Sequence, residues 1–167
     1  MTKKILLHSL FISVVILIAR IILLFSDVKE MSWVAPMSLM IFPLGLYLFT
    51  KSNREDYSLE ESYSISFKDI FVPILKVSFF VSVVVAVGSF IVYSLYPEII
   101  EYKMQAVEND LYKNSNMTDE EIDLIMKTSR IASSPAVSSM LDVFGYLFSG
   151  SIVGGIFGLL YKSKDRR

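Results

Sequence analysis

PEIIEYKMQAVENDLYKNSNMTDEEIDLIMKTSRIASSP, residues 97–135, is the one long polar passage in a chain that otherwise runs apolar. Pro97 follows an apolar run that ends at Tyr96. Proline suits the first turn of a new helix and disfavours helical geometry in the residue before it. A helix therefore ends near Tyr96 and another begins at Pro97. Ile100, Met104, Val107 and Leu111 recur at helical spacing, and Glu98, Glu101, Gln105 and Glu108 form a second stripe. This is an amphipathic helix. Asn114-Ser115-Asn116 breaks it, and the next start is strongly marked. Thr118 and Glu121 have capping-box spacing, and Met117 and Ile122 occupy the positions of a hydrophobic staple. Asp119, Glu120 and Glu121 put negative charge at the positive end of the helix dipole. Ile122, Ile125, Met126 and Ser129 give this helix one less polar face, and Ser133-Ser134-Pro135 ends it. The passage reads as a helical arm standing on one side of a membrane.

Outward from the arm, the chain divides into blocks long enough to cross a bilayer, which takes about 20 apolar residues. Hydrophobic residues make up 53% of the 167, and the mean hydropathy is +0.54. Spans are expected at about 5–25, 33–49, 70–96 and 136–161, giving an all-α, four-helix integral membrane protein as a single membrane domain. The first block has the basic start of a signal peptide. Its length, Arg20 within it and the lack of a small-x-small site favour an uncleaved span. Trp33 and Tyr47 lie near the ends of the second block, where amphipathic rings suit the interface. Thr50 to Ser66 reads as a solvated loop. A net charge of −1 suggests no nucleic-acid partner, and the lack of cysteine excludes disulfides and thiolate metal sites.

Charge distribution predicts sidedness. Lys3, Lys4, Lys51, Arg54, Lys68, Lys162, Lys164, Arg166 and Arg167 fall on one side of a four-span arrangement, against Lys29 in the first loop. Short basic loops stay cytoplasmic. Both termini are therefore expected in the cytoplasm, with the arm outside. In the arm, acids outnumber bases by eight to four.

Residues that stand out are mostly structural. Gly150, Gly154 and Gly158 repeat every fourth residue in the last span, with Ser151 and Gly155 alongside, and make a flat helix-packing face. It reads first as a contact inside the same four-helix bundle and second as a homodimer seam; Ser78, Ser82 and Ala86 offer a matching strip on the third span. Arg20 and Asp142 fall at similar depth in the bilayer. Either an ion pair or separate routes to the interface would meet their cost. His8 reads as structural and Lys76 as reaching the inner interface. The stripe Glu98, Glu101, Glu108 reads as a solvated face, with a divalent cation as the alternative. There is no phosphate-binding glycine loop, zinc-type HExxH or nucleophile elbow, so no catalytic, cofactor-binding or metal residues are assigned and no cofactor is expected.

Several of these features occur together elsewhere. Ser66-Phe67-Lys68-Asp69 before the third span, Tyr96-Pro97-Glu98 after it, Met117-Thr118-Asp119-Glu120-Glu121-Ile122 in the arm, Pro135, and the glycine-rich last span with its basic end resemble a family of small bacterial membrane proteins. That family, domain of unknown function 4199, has four spans and is seen mainly in Bacteroidota. The resemblance covers nearly the whole chain and brings no catalytic residues. It implies a bacterial inner-membrane location and a partner, because members are often encoded near a membrane glycosyltransferase that acts on polyprenyl phosphate. The expected function is a non-enzymatic interaction or accessory subunit. The rival from another class is a small transporter or channel using Asp142, Arg20 and Lys76.

Overall fold

The computed structural model describes residues 2–25, 34–58, 65–114 and 117–161. Among them every element is an α-helix: α1 (Thr2–Phe25), α2 (Val34–Ser58), α3 (Phe67–Leu95), α4 (Glu98–Asn114), α5 (Asp119–Ala132) and α6 (Pro135–Tyr161). Among the described residues three segments are long and apolar enough to cross a membrane: Lys3–Ile22, Phe67–Leu95 and Pro135–Tyr161. These helices are those of a membrane protein by length and composition. The first loop, the Ser115-Asn116 part of the expected break and the basic end at 162–167 lie outside the described residues.

Two compact units divide the chain, one made of Met1–Val85 with Val143–Arg167 and the other of Ala86–Asp142. In the first, four helices share one core. Ile5, Ile12 and Ile16 come from α1, and Phe42, Leu46 and Phe49 from α2. Ile70, Ile74, Val77, Val81 and Val85 come from α3, and Tyr146 from α6. Contacts along the helices fix their directions. Lys4 reaches Ser52, the His8 ring stands edge-on to Phe49 at 5.3 Å, and Ile12 lies against Gly45, so α1 and α2 are antiparallel. Phe67 lies against Gly158, Ile74 against Gly154 and Ser78 against Gly150, so α3 and α6 are antiparallel too. Phe42 meets Tyr146 and Tyr47 meets Phe157, which makes α2 and α6 parallel.

The second unit holds the arm. Helices α4 and α5 pack on each other, and Met104 and Ile122 are their buried residues. An exposed Arg130–Glu101 ion pair at 3.5 Å joins them. Exposed pairs of this kind contribute about 0–1 kcal/mol.

One boundary differs from expectation. The second helix does not end at Phe49 but continues to Ser58. The polar residues that suggested a loop are built into the helix. The Thr50 hydroxyl donates to the Leu46 carbonyl at 2.7 Å, Asn53 is buried, and the Lys4 ammonium donates to the Ser52 carbonyl at 2.8 Å. The rest of the expected loop, at 59–64, lies outside the described residues.

Candidate functional site

No described group of histidines and carboxylates is arranged to hold a metal ion. The features that remain are a close-packed seam, a cation seated on an aromatic ring, and a capped arm.

The glycine stripe of α6 faces α3. A methyl group at Gly150 would overlap the Ser78 hydroxyl and come within 2.5 Å of Ser78 Cβ. At Gly154 it would stand 3.2 Å from Ile74 and Phe71, and at Gly158 2.6 Å from the Phe67 ring. Gly155 points away, with open space where its methyl would be. The seam thus uses three of the four glycines that the sequence marks. Sequence reasoning passed over a fifth, Gly45, whose added methyl would lie 2.7 Å from Ile12. Its signal was modest: it is the only glycine in the second apolar block.

Hydroxyls line the same interior. Ser9 donates to Ile5, Ser13 to Ser9 and Ser78 to Ile74, each to a carbonyl one turn back on its own helix at 2.7–2.8 Å. Back-bonding of this kind satisfies a hydroxyl where no water can. Ser9 also lies 3.5 Å from the Val77 carbonyl of α3.

Arg20 is placed on Tyr146. Its Nη2 donates to the tyrosine oxygen at 3.4 Å, and the guanidinium carbon lies 5.9 Å from the ring centroid, within cation–π range. The same ring stands edge-on to Phe42 at 4.9 Å. Tyr146 was not singled out from the sequence. It lies four residues before Gly150 and so continues the glycine stripe by one turn. Asp142, half-buried, is the last residue of the other unit. Lys76 is exposed on α3. His8 donates from Nδ1 to the Lys4 carbonyl at 2.9 Å, a structural bond within its own helix.

The arm's second helix starts on the expected capping box. The Thr118 amide and hydroxyl both donate to Glu121 Oε2, at 2.8 and 3.1 Å, and the Glu121 amide donates back to the threonine oxygen. These bonds, the backbone one first, hold the Glu121 carboxyl below its ordinary range. A carboxylate with a lowered pKa contributes stability that is fully present above the ordinary glutamate range. That contribution is lost as the pH falls below this range through the folded value. Losing an N-cap hydroxyl costs about 1 kcal/mol, so Thr118→Ala should loosen the first turn of α5. Amide exchange at Glu121 and Ile122 should quicken in the variant. The wild type should move the same way in acid, and the variant's response to acid should be weaker. Ser66 makes half of the same arrangement at the start of α3, where its amide and hydroxyl donate to Asp69 Oδ2 at 2.8 and 2.7 Å.

The starts of α3 and α5 are two of the motifs that carried the resemblance. The model of one family, described as protein of unknown function (DUF4199), matches residues 7–163. No curated protein and no solved structure matches the chain. With a match that runs from within α1 to beyond the end of α6, the chain belongs to the DUF4199 family of proteins of unknown function.

Proposed function

We propose that this protein is a four-span inner-membrane interaction subunit, with both termini in the cytoplasm and the helical arm outside. Its role is non-enzymatic: the arm docks another envelope protein. The observation that carries this reading is the outer face of α5. Leu124 and Ile131 are 66% and 62% exposed on a helix whose buried residue is Ile122. At 100° per residue both fall on the side opposite Ile122 and almost in line with each other. Exposed apolar pairs on an otherwise acidic, capped helix suit a protein interface. An envelope glycosyltransferase acting on polyprenyl phosphate is the partner class to which the family resemblance points.

Four crossings are supported by α2, which turns Phe42, Leu46 and Phe49 into the core shared with the three apolar helices. Cytoplasmic termini are supported by the basic residues at the ends of the chain and around the second connection.

The docking reading is tested by recovering the protein from native membranes with and without L124D/I131D. A partner should travel with the wild type in near-equal amount and be lost from the variant, whose thermal stability should be unchanged. If no protein accompanies the wild type, or the same one accompanies the variant, the docking role is wrong.

Topology is tested separately. The chain has no cysteine. Glu120→Cys should react with an impermeant thiol reagent in intact spheroplasts, and Ser52→Cys should react only after lysis. The reverse pattern would invert the protein in the membrane.

A further inference from the structure

We propose that the cleft between α1 and α2 is a binding site for an anionic phospholipid of the cytoplasmic leaflet. One acyl chain would lie in the cleft and the phosphate on the lysines above it. The cleft has a volume of about 400 Å³ and is lined by Leu7, His8, Phe11, Ile12, Gly45 and Leu48. That size lies in the range of ligand sites, roughly 300–1,000 Å³. Its walls are aliphatic and aromatic except for His8, which suits a hydrocarbon chain.

The charge beside the cleft selects the headgroup. Lys3 lies four residues before Leu7, Lys4 four before His8, and Lys51 three after Leu48. Residues three and four apart share a helix face. The three cations therefore stand one turn beyond the cleft, on the faces that line it and at the same end of the antiparallel pair. Lys3 and Lys51 are exposed, and Lys4 is held there by its bond to the Ser52 carbonyl. From Lys3 to Phe11 the helix rises about 12 Å. A phospholipid with its phosphate at the lysines would thus place the first part of its chain along the cleft. Basic pockets between membrane helices on the cytoplasmic side bind anionic headgroups in this manner. A zwitterionic lipid has no net charge to match three lysines.

The leaflet assignment depends on the topology proposed above, but the binding itself does not. The test is native mass spectrometry of the full chain in detergent micelles, titrated with phosphatidylglycerol or with phosphatidylcholine of the same chains. Wild-type protein should retain phosphatidylglycerol at least about 25-fold more strongly. Each lysine near the headgroup should contribute about fivefold, so K3Q/K51Q should weaken phosphatidylglycerol binding about 25-fold and leave phosphatidylcholine binding unchanged. Leu48→Trp, which fills the cleft, should weaken both lipids. Thermal stability of each variant, measured without added lipid, confirms that it is folded.

Equal retention of the two lipids, or full phosphatidylglycerol retention by folded K3Q/K51Q, overturns the proposal. So does displacement of phosphatidylglycerol by an equimolar long-chain polyprenyl phosphate, which would make the occupant an isoprenoid. Cysteine labelling that reverses the topology, with binding as expected, overturns only the leaflet.

Discussion

Gly150→Ala should leave little folded protein, although it adds a single methyl group. Overfilling a packed interior costs about 1–3 kcal/mol when neighbours can yield. Here they cannot yield cheaply. A hydroxyl can rotate away, but Ser78 Cβ, 2.5 Å from the added carbon, is fixed to the α3 backbone. The helices must separate, and every contact along the seam loosens with them. The second-site test is direct. Ser78→Gly removes the obstructing atoms, so S78G/G150A should recover most of the lost stability. Alanine at the other glycines should follow the room each one has. Gly158 comes next, because the ring that obstructs it belongs to Phe67, the first residue of α3. Gly154 should tolerate alanine at modest cost but not leucine. Gly155→Ala and Gly145→Ala should be near neutral, since neither meets an atom within 4 Å. Thermal denaturation in detergent gives the order. If Gly155→Ala proves as damaging as Gly150→Ala, the face outside the seam is occupied too, and a second copy of the chain becomes the candidate for it.

Tyr146→Ala should be the most costly substitution outside the glycine seam, about 3 kcal/mol by analogy with buried aromatic truncations. In a bilayer little of this comes from transfer out of water, because lipid tails are as apolar as the helix interior. The cost comes from the hole. Tyr146 is 5% exposed, and its ring supports Phe42 on one side and the Arg20 guanidinium on the other. Removing the ring strips contacts from both. Tyr146→Phe separates the contributions, since it keeps the ring and removes only the oxygen that receives the arginine N–H. It should cost about 1 kcal/mol, the net value of an ordinary hydrogen bond. Equal losses in the two variants would mean that the hydroxyl, and not the ring, organises this corner of the core.

Helix order, the capping box at Thr118 and the small-residue face of α6 were legible in the sequence because each depends on local spacing. Thr118 and Glu121 meet within one turn, and glycines at every fourth residue must share a face whatever they touch. What they touch was only partly legible. The strip expected on α3 was Ser78, Ser82 and Ala86, whereas the seam runs from Ser78 through Ile74 and Phe71 to Phe67. Large side chains fill the space that glycine leaves, so smallness on one helix does not require it on the other. The end of α2 was misread for a related reason. Thr50 and Asn53 are polar in composition, but a carbonyl one turn back and a lysine from α1 make that stretch a stable end for a helix. Tyr146 was missed because an aromatic residue in an apolar run carries no periodic mark of its own.

The serines have a consequence for biogenesis. The hydroxyls of Ser9, Ser13 and Ser78 are satisfied by carbonyls of the helices that carry them. As far as these hydroxyls are concerned, each segment can leave the insertion machinery and equilibrate in lipid before its neighbours have been made. Assembly afterwards is a matter of matching shapes, in which a serine on one segment finds the one place on another where a side chain is missing. A small residue moved by one turn would not prevent such segments from inserting; it would make them dock one turn out of step.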